Sequence, residues 1–126
     1  MVQKIEKIKK RILIIDDDDG VLGALTAILE MEGYLVETSS NSHFLDGHDK
    51  KNAPNLILLD FLVSGENGKD ILKKIRAHSS LVKVPIIMLS AYPNVEKELL
   101  DSGADAFIGK PFDMDNLLMQ VKNLVI

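Results

Sequence analysis

The sequence has no cysteine. Disulfides and thiolate metal sites are therefore excluded, and nothing argues for an oxidising compartment. It also lacks any apolar run approaching ~18 residues, so no segment is expected to span a membrane. Basic residues are the minority sign. The 15 Lys+Arg stand against 19 Asp+Glu, and the net charge of −4 argues against a general nucleic-acid binder. No linker, low-complexity tract or repeat interrupts the 126 residues, a length suited to one domain around one core.

The opening "MVQKIEKIKKR" is basic, but no apolar signal core with a cleavage site follows it. Residues 1–10 read as a solvated lead-in to a domain spanning 11–126, and the expected location is the cytoplasm. No effector domain follows Ile126, so the chain reads either as stand-alone or as one domain of a longer protein.

Short aliphatic runs recur at Ile12–Ile15, Tyr34–Thr38, Leu56–Leu59, Val84–Leu89 and Ala106–Ile108. The first and third are apolar at every position, as in strands buried on both faces of a parallel sheet. Helical spacing lies between them. Val21, Leu22, Leu25, Ile28 and Leu29 share one face, with Gly33 placed to end that helix. Ile71, Leu72 and Ile75 form a second stripe, with Lys73, Lys74 and Arg76 on the water side. Val95, Leu99 and Leu100 suggest a third, ended near Gly103. Leu117, Leu118, Val121, Leu124 and Val125 make the last. Ser42–Ala53 is the weakest helical pattern, with only Phe44 and Leu45 apolar and Gly47 in its middle. Five strands alternating with five helices imply an α/β fold, a parallel sheet with helices on both faces. Ligands in such sheets bind at the carboxyl ends of the strands.

Those ends carry a chemical set. Asp16 and Asp17 close the first strand, Asp60 the third, Ser90 the fourth and Lys110 the fifth, followed by Pro111. Together they suit phosphoryl transfer to a carboxylate. Asp60 is the candidate nucleophile, able to form an acyl phosphate. Two further carboxylates beside it call for a divalent cation, and oxygen-only ligands favour Mg²⁺. A lysine would balance phosphate charge and a serine hydroxyl would bond a phosphoryl oxygen.

In "ILIIDDDD", "LILLDFLVSGENGKD", "PIIMLSAY" and "ADAFIGKPF", in that order, the chain resembles the receiver (REC) domain of two-component response regulators over essentially its whole length. The resemblance implies a (βα)5 flavodoxin-like three-layer sandwich with sheet order 2-1-3-4-5. By it Asp60 is the phosphoacceptor, and Asp16, Asp17 and Asp60 hold the metal with the backbone carbonyl of Leu62. Ser90 and Lys110 match the family's catalytic hydroxyl and lysine, Ser90 and Phe107 its switch pair. Lys110–Pro111 is the expected site of the family's cis peptide, which proline makes accessible.

The implied partners are a sensor histidine kinase or phosphotransfer protein, a downstream effector domain or protein, and a second copy in a phosphorylation-dependent homodimer. Direct contact with nucleic acid or membrane is not expected. Phosphorylation would draw Ser90 inward, let Phe107 rotate, and remodel the surface of the fourth helix, fifth strand and fifth helix.

The chain departs from the family in three places. Ser64 stands where proline is usual, which implies a less rigid loop. Ser90 stands where threonine is commoner, and Phe107 where tyrosine is common. Leu62 and Tyr92, two beyond Asp60 and Ser90, line the route of the hydrolytic water in the family. As an apolar, bulky pair they are expected to slow loss of the phosphoryl group.

Rival readings of the aspartate run are weaker. A calcium loop with Gly20 sixth would begin at Ile15 and end at Thr26, where glutamate is needed. "VSGENGKD" lacks the first glycine and the Ser/Thr of a P-loop. "DDDGVL", Asp17–Leu22, has the look of a haloacid-dehalogenase-type phosphatase, with Asp17 as nucleophile and Mg²⁺ again the cofactor. That reading leaves Asp60 idle and lacks acids on a strand after Lys110, since Asp113 and Asp115 precede only a terminal helix. A phosphorylation-independent interaction module is the third reading, disfavoured by the intact acid set. His43, His48 and His78 show no metal-ligand spacing and are expected at the surface. Met88, Met114 and Met119 read as core filling. Asp18 or Asp19 is placed to cap the first helix.

Overall fold

A computed structural model describes residues 8–45 and 53–126. The strands of the main sheet are β1 (Arg11–Ile15), β2 (Leu35–Ser39), β3 (Leu56–Asp60), β6 (Ile86–Ser90) and β7 (Ala106–Gly109), all parallel in the order β2-β1-β3-β6-β7. Between β3 and β6 lies a hairpin not foreseen in the sequence, β4 (Leu62–Val63) paired antiparallel with β5 (Glu66–Asn67). With the hairpin set aside, the order is the 2-1-3-4-5 expected of the fold.

The helices are α1 (Asp19–Met31), α2 (Gly68–Ala77), α3 (Glu96–Asp101) and α4 (Met114–Leu124). Residues Ser42–Leu45 form a 3₁₀ turn; the rest of the expected second helix, with His48, falls largely on 46–52, outside the described residues. Among the described residues no helix is long and apolar enough to cross a membrane.

The all-apolar strands are apolar because both faces are covered. Leu13, Ile15, Ile57, Leu59, Ile86 and Met88 pack under α2 and α3, whereas Ile12, Ile14, Leu56, Leu58, Ile87 and Leu89 pack under α1 and α4. Alternate side chains of one strand thus fill two different cores. Each fully buried Leu or Ile contributes roughly 1.5–3 kcal/mol of transfer free energy.

α1 begins where the Asp18 carboxylate accepts the Val21 N–H, and its end is followed by Gly33 at φ 92°. Its Leu25 and Leu29 are buried, with Val21 and Leu22 partly so.

Four side chains depart from the expected faces. Leu100 of α3 and Met119 of α4 are 40% and 54% exposed, pointing away from the cores that Leu99, Leu117 and Val121 fill. Arg76 is not on the water side: it donates to the carbonyls of Gly103 and Val84 and to the Asp105 carboxylate, tying α2 to the turn before β7. His78 is half-buried, and its Nδ1 accepts the Ser80 N–H. Met88 fills the core, Met114 packs at its edge, and His43 is exposed.

Candidate functional site

Three strand ends deliver their polar residues to one place because the sheet's hydrogen bonding runs one residue past the ends of β1, β3 and β7. The Asp16 N–H donates to Ser39 O, the Phe61 N–H to Leu89 O and the Lys110 N–H to Ser90 O, at 2.8–3.0 Å. Asp16 is 0% exposed and satisfied on both oxygens: Oδ1 accepts the Asp18 N–H at 3.0 Å, and Oδ2 accepts Lys110 Nζ at 2.9 Å. The same ammonium lies 3.0 Å from Asp60 Oδ1. Asp16, Asp17 and Asp60 each bring an oxygen within 4.8 Å of the others. The expected acids and lysine thus meet in one cluster, and the Lys110–Pro111 peptide is cis.

The electrostatics follow from two carboxylates, Asp16 and Asp60, sharing one ammonium, with Asp17 close by. Burial pushes the Asp60 carboxyl above its ordinary value; Lys110 pulls it down as donor and charge, Asp16 pushes it further up, and the Phe61 N–H pulls it down. Burial is the strongest influence on Lys110 too and acts to lower it, but Asp16 and Asp60 together outweigh that and hold the ammonium above the usual lysine range. A pair that were merely a salt bridge would lower the acid; here burial wins on Asp60. The donors are all oxygen and the site carries excess negative charge, so it fits a hard divalent cation.

The loop after Asp60 is shaped by two close constraints. Gly68 begins α2 with its N–H on Phe61 O, and a Cβ there would lie 2.7 Å from both Asp60 O and Phe61 Cα. Only glycine lets the helix start so near the strand end. In the hairpin, Ser64 (φ 49°) and Gly65 (φ 80°) both adopt left-handed backbone, the pattern of a two-residue primed turn. The Ser64 N–H donates to Asp17 Oδ2 at 2.9 Å, and its hydroxyl donates to Ser40 O. Glu66 accepts from the Ser42 hydroxyl and from Lys74 Nζ. Serine gives this loop two tethers, through its N–H and its hydroxyl, that proline cannot make.

Ser90 is 2% exposed, and its Oγ accepts the Tyr92 N–H at 2.9 Å. Its own proton has only a long 3.5 Å contact with Tyr92 O. Phe107, paired with Met88 in the sheet, is half-buried against the α2/α3 core. At the rim, Leu62 and Tyr92 are 44% and 50% exposed, and the Tyr92 ring meets Phe61 edge-on at 5.6 Å. Asp113 and Asp115, the acids a phosphatase would need to recruit, lie at the start of α4, where the Asp113 carboxylate caps the helix by accepting the Asp115 N–H.

Comparison with known proteins gives one family. The model of the response regulator receiver domain matches residues 12–122. The DNA-binding dual master transcriptional regulator RpaA of Synechocystis is 32% identical over 117 residues, 91% of this chain and 48% of that protein. The DNA-binding response regulator MtrA of Mycobacterium tuberculosis is 33% identical over 120 residues, 94% of this chain and 51% of that protein. The chain therefore spans about half the length of these curated relatives. The crystal structure of a two-component response regulator from Clostridium difficile superimposes with a TM-score of 0.81 at 28% identity, covering 92% of this chain and 95% of that one.

Proposed function

The chain belongs to the response regulator receiver domain family, and on that premise we propose that Asp60 is its phosphoacceptor. The domain is the signalling receiver of a two-component system, and residues 11–126 make up the unit, with 1–10 a basic lead-in. The observation that carries the site assignment is the meeting of Asp60 with Asp16 and Asp17 within 4.8 Å and with Lys110 at 3.0 Å. A phosphatase with Asp17 as nucleophile is not favoured, because Asp60 is inside the cluster and Asp113 is spent on a helix cap. The intact acid set equally disfavours a phosphorylation-independent module.

Asp16, Asp17 and Asp60, with the Leu62 carbonyl, would hold Mg²⁺. Bound there, Mg²⁺ offsets the surplus negative charge and polarises phosphoryl oxygens. The chain's own groups do the rest. An Asp60 carboxylate oxygen bonds to phosphorus as the phosphorus–nitrogen bond of a donor phosphohistidine breaks, the electron pair leaving with the imidazole. Lys110 stays charged beside Asp60 and pairs with the incoming phosphoryl oxygens. Ser90 has a hydroxyl proton that is poorly used at 3.5 Å, available for donation to a phosphoryl oxygen. Its departure from Tyr92 gives Phe107 room to turn inward, altering the surface of α3, β7 and α4 that a partner or a second copy reads.

The donor is a sensor histidine kinase or phosphotransfer protein, and the reader an effector domain or protein, in the cytoplasm. The only catalysis is of its own phosphorylation and dephosphorylation. Incubation with a small phosphodonor tests this: uptake of phosphate should require Mg²⁺ and vanish in Asp60→Asn. Uptake by Asp60→Asn equal to wild type would refute the assignment.

A further inference from the structure

We propose that Ser64 is the positioning residue of the cation site, orienting the Asp17 carboxylate through its backbone N–H; this rests on reading Asp17 as a cation ligand. Asp17 is exposed, so its side chain has no packing to hold one rotamer. What the structure provides is a donor. The Ser64 N–H lies 2.9 Å from Asp17 Oδ2, aimed there by the left-handed backbone of Ser64 and Gly65.

That donor is itself anchored. The Ser64 hydroxyl bonds the Ser40 carbonyl beyond β2, and two residues on Glu66 takes the Ser42 hydroxyl and, at 3.0 Å, Lys74 Nζ. The hairpin is thus fastened to the end of β2 on one side and to α2 on the other. A carboxylate oxygen has lone pairs enough to keep this bond and still ligate, so the N–H orients without blocking. Proline, usual at this position in the family, has no N–H to offer. In this chain the serine supplies an outer hydrogen bond to a metal-site acid, and such bonds are worth roughly 10–100-fold in metal affinity.

The test replaces the Val63–Ser64 amide by an ester, using the α-hydroxy counterpart of serine. This deletes one N–H and leaves the side chain and the turn. Calorimetric titration with Mg²⁺ is expected to show affinity weakened by about tenfold. Affinity equal to wild type would overturn the proposal. Ser64→Asn keeps the N–H and tolerates left-handed backbone but gives up the hydroxyl tether to Ser40 O, and is expected to weaken Mg²⁺ binding less than the ester does; a loss as large as the ester's would overturn it too. Asp17→Asn, run in parallel, separates the two readings. If it binds Mg²⁺ as wild type does, Asp17 is no ligand and the site reading fails. If it loses Mg²⁺ while the ester does not, the role of Ser64 alone fails.

Should the ester not fold, amide hydrogen exchange on wild type and Asp17→Ala, which removes the acceptor, decides. Exchange at Ser64 is expected to speed up in Asp17→Ala while that at Asn67 is unchanged. An unaltered Ser64 rate would contradict the bond's importance.

Discussion

The Lys110 ammonium stands 3.0 Å from Asp60 Oδ1 and so joins the ends of β7 and β3, two strands that β6 separates in the sheet. Because Asp16 holds the same ammonium at 2.9 Å, Asp60 is left with a share of one positive charge in a site with three carboxylates. Burial then raises Asp60 despite its partner.

A stability consequence has a definite sign. A carboxyl whose folded pKa is raised contributes fully below its unfolded value, ~3.9, and loses that contribution as pH rises through the folded value. Ionised Asp60 is therefore a liability to the cation-free fold at neutral pH. Asp60→Asn is expected to stabilise the protein in chelator at pH 7, with the gain vanishing near pH ~3.5. Thermal melts of both proteins at the two pH values check it; a destabilised variant at pH 7 would contradict it.

Glu66 has the opposite sign. The Ser42 hydroxyl, then Lys74, holds its carboxyl below the ordinary glutamate value. Its stabilising contribution is present above the unfolded value and is lost as pH falls through the folded one. Ser42→Ala should bring the Glu66 titration, followed by carboxyl ¹³C shifts, back up toward ordinary. A titration that does not move would remove Ser42 as the main cause.

The close approach at Gly68 makes a sharp steric case. A Cβ at 2.7 Å from the Asp60 carbonyl and Phe61 Cα cannot be accommodated without moving the loop after Asp60. Gly68→Ala is expected to cost about 1–3 kcal/mol and to slow phosphorylation at saturating donor. Denaturant melts and phosphorylation time courses would show it; a neutral variant on both counts would mean that the loop yields freely.

Leu62 and Tyr92 flank the mouth of the site, half-exposed, with Tyr92 braced on Phe61. If they shield the acyl phosphate from water, Leu62→Asn with Tyr92→Ala should shorten its lifetime several-fold while leaving uptake intact. Decay of the labelled protein after donor removal measures this, and an unchanged lifetime would sink the shielding role.

Much of the site was legible because doubly buried strands are uninterrupted apolar runs, so the polar residue ending each one stands out: Asp16, Asp60 and Ser90, with Lys110 just beyond the shorter and less buried β7. The rest hid for physical reasons. Ser64 acts through its N–H and a left-handed backbone, neither of which its side chain advertises. The hairpin strands have two residues each, too few for any period. α3 has six residues, under two turns, so spacing could not separate buried Leu99 from exposed Leu100. Met119 was readable in principle: two positions from both Leu117 and Val121, it falls on the far side of α4. Arg76 looks like one more solvated charge beside Lys73 and Lys74, and only its reach to Gly103 and Asp105 shows otherwise.

The most direct measurement is the address of the phosphoryl group. Wild-type protein is incubated with a small phosphodonor and Mg²⁺, the acyl phosphate is trapped by borohydride reduction, and the modified residue is located by peptide mass spectrometry. The expected result is modification at Asp60 and at no other aspartate. A modified Asp17, or steady turnover of a phosphomonoester with Asp60 untouched, would contradict the assignment of Asp60 as phosphoacceptor.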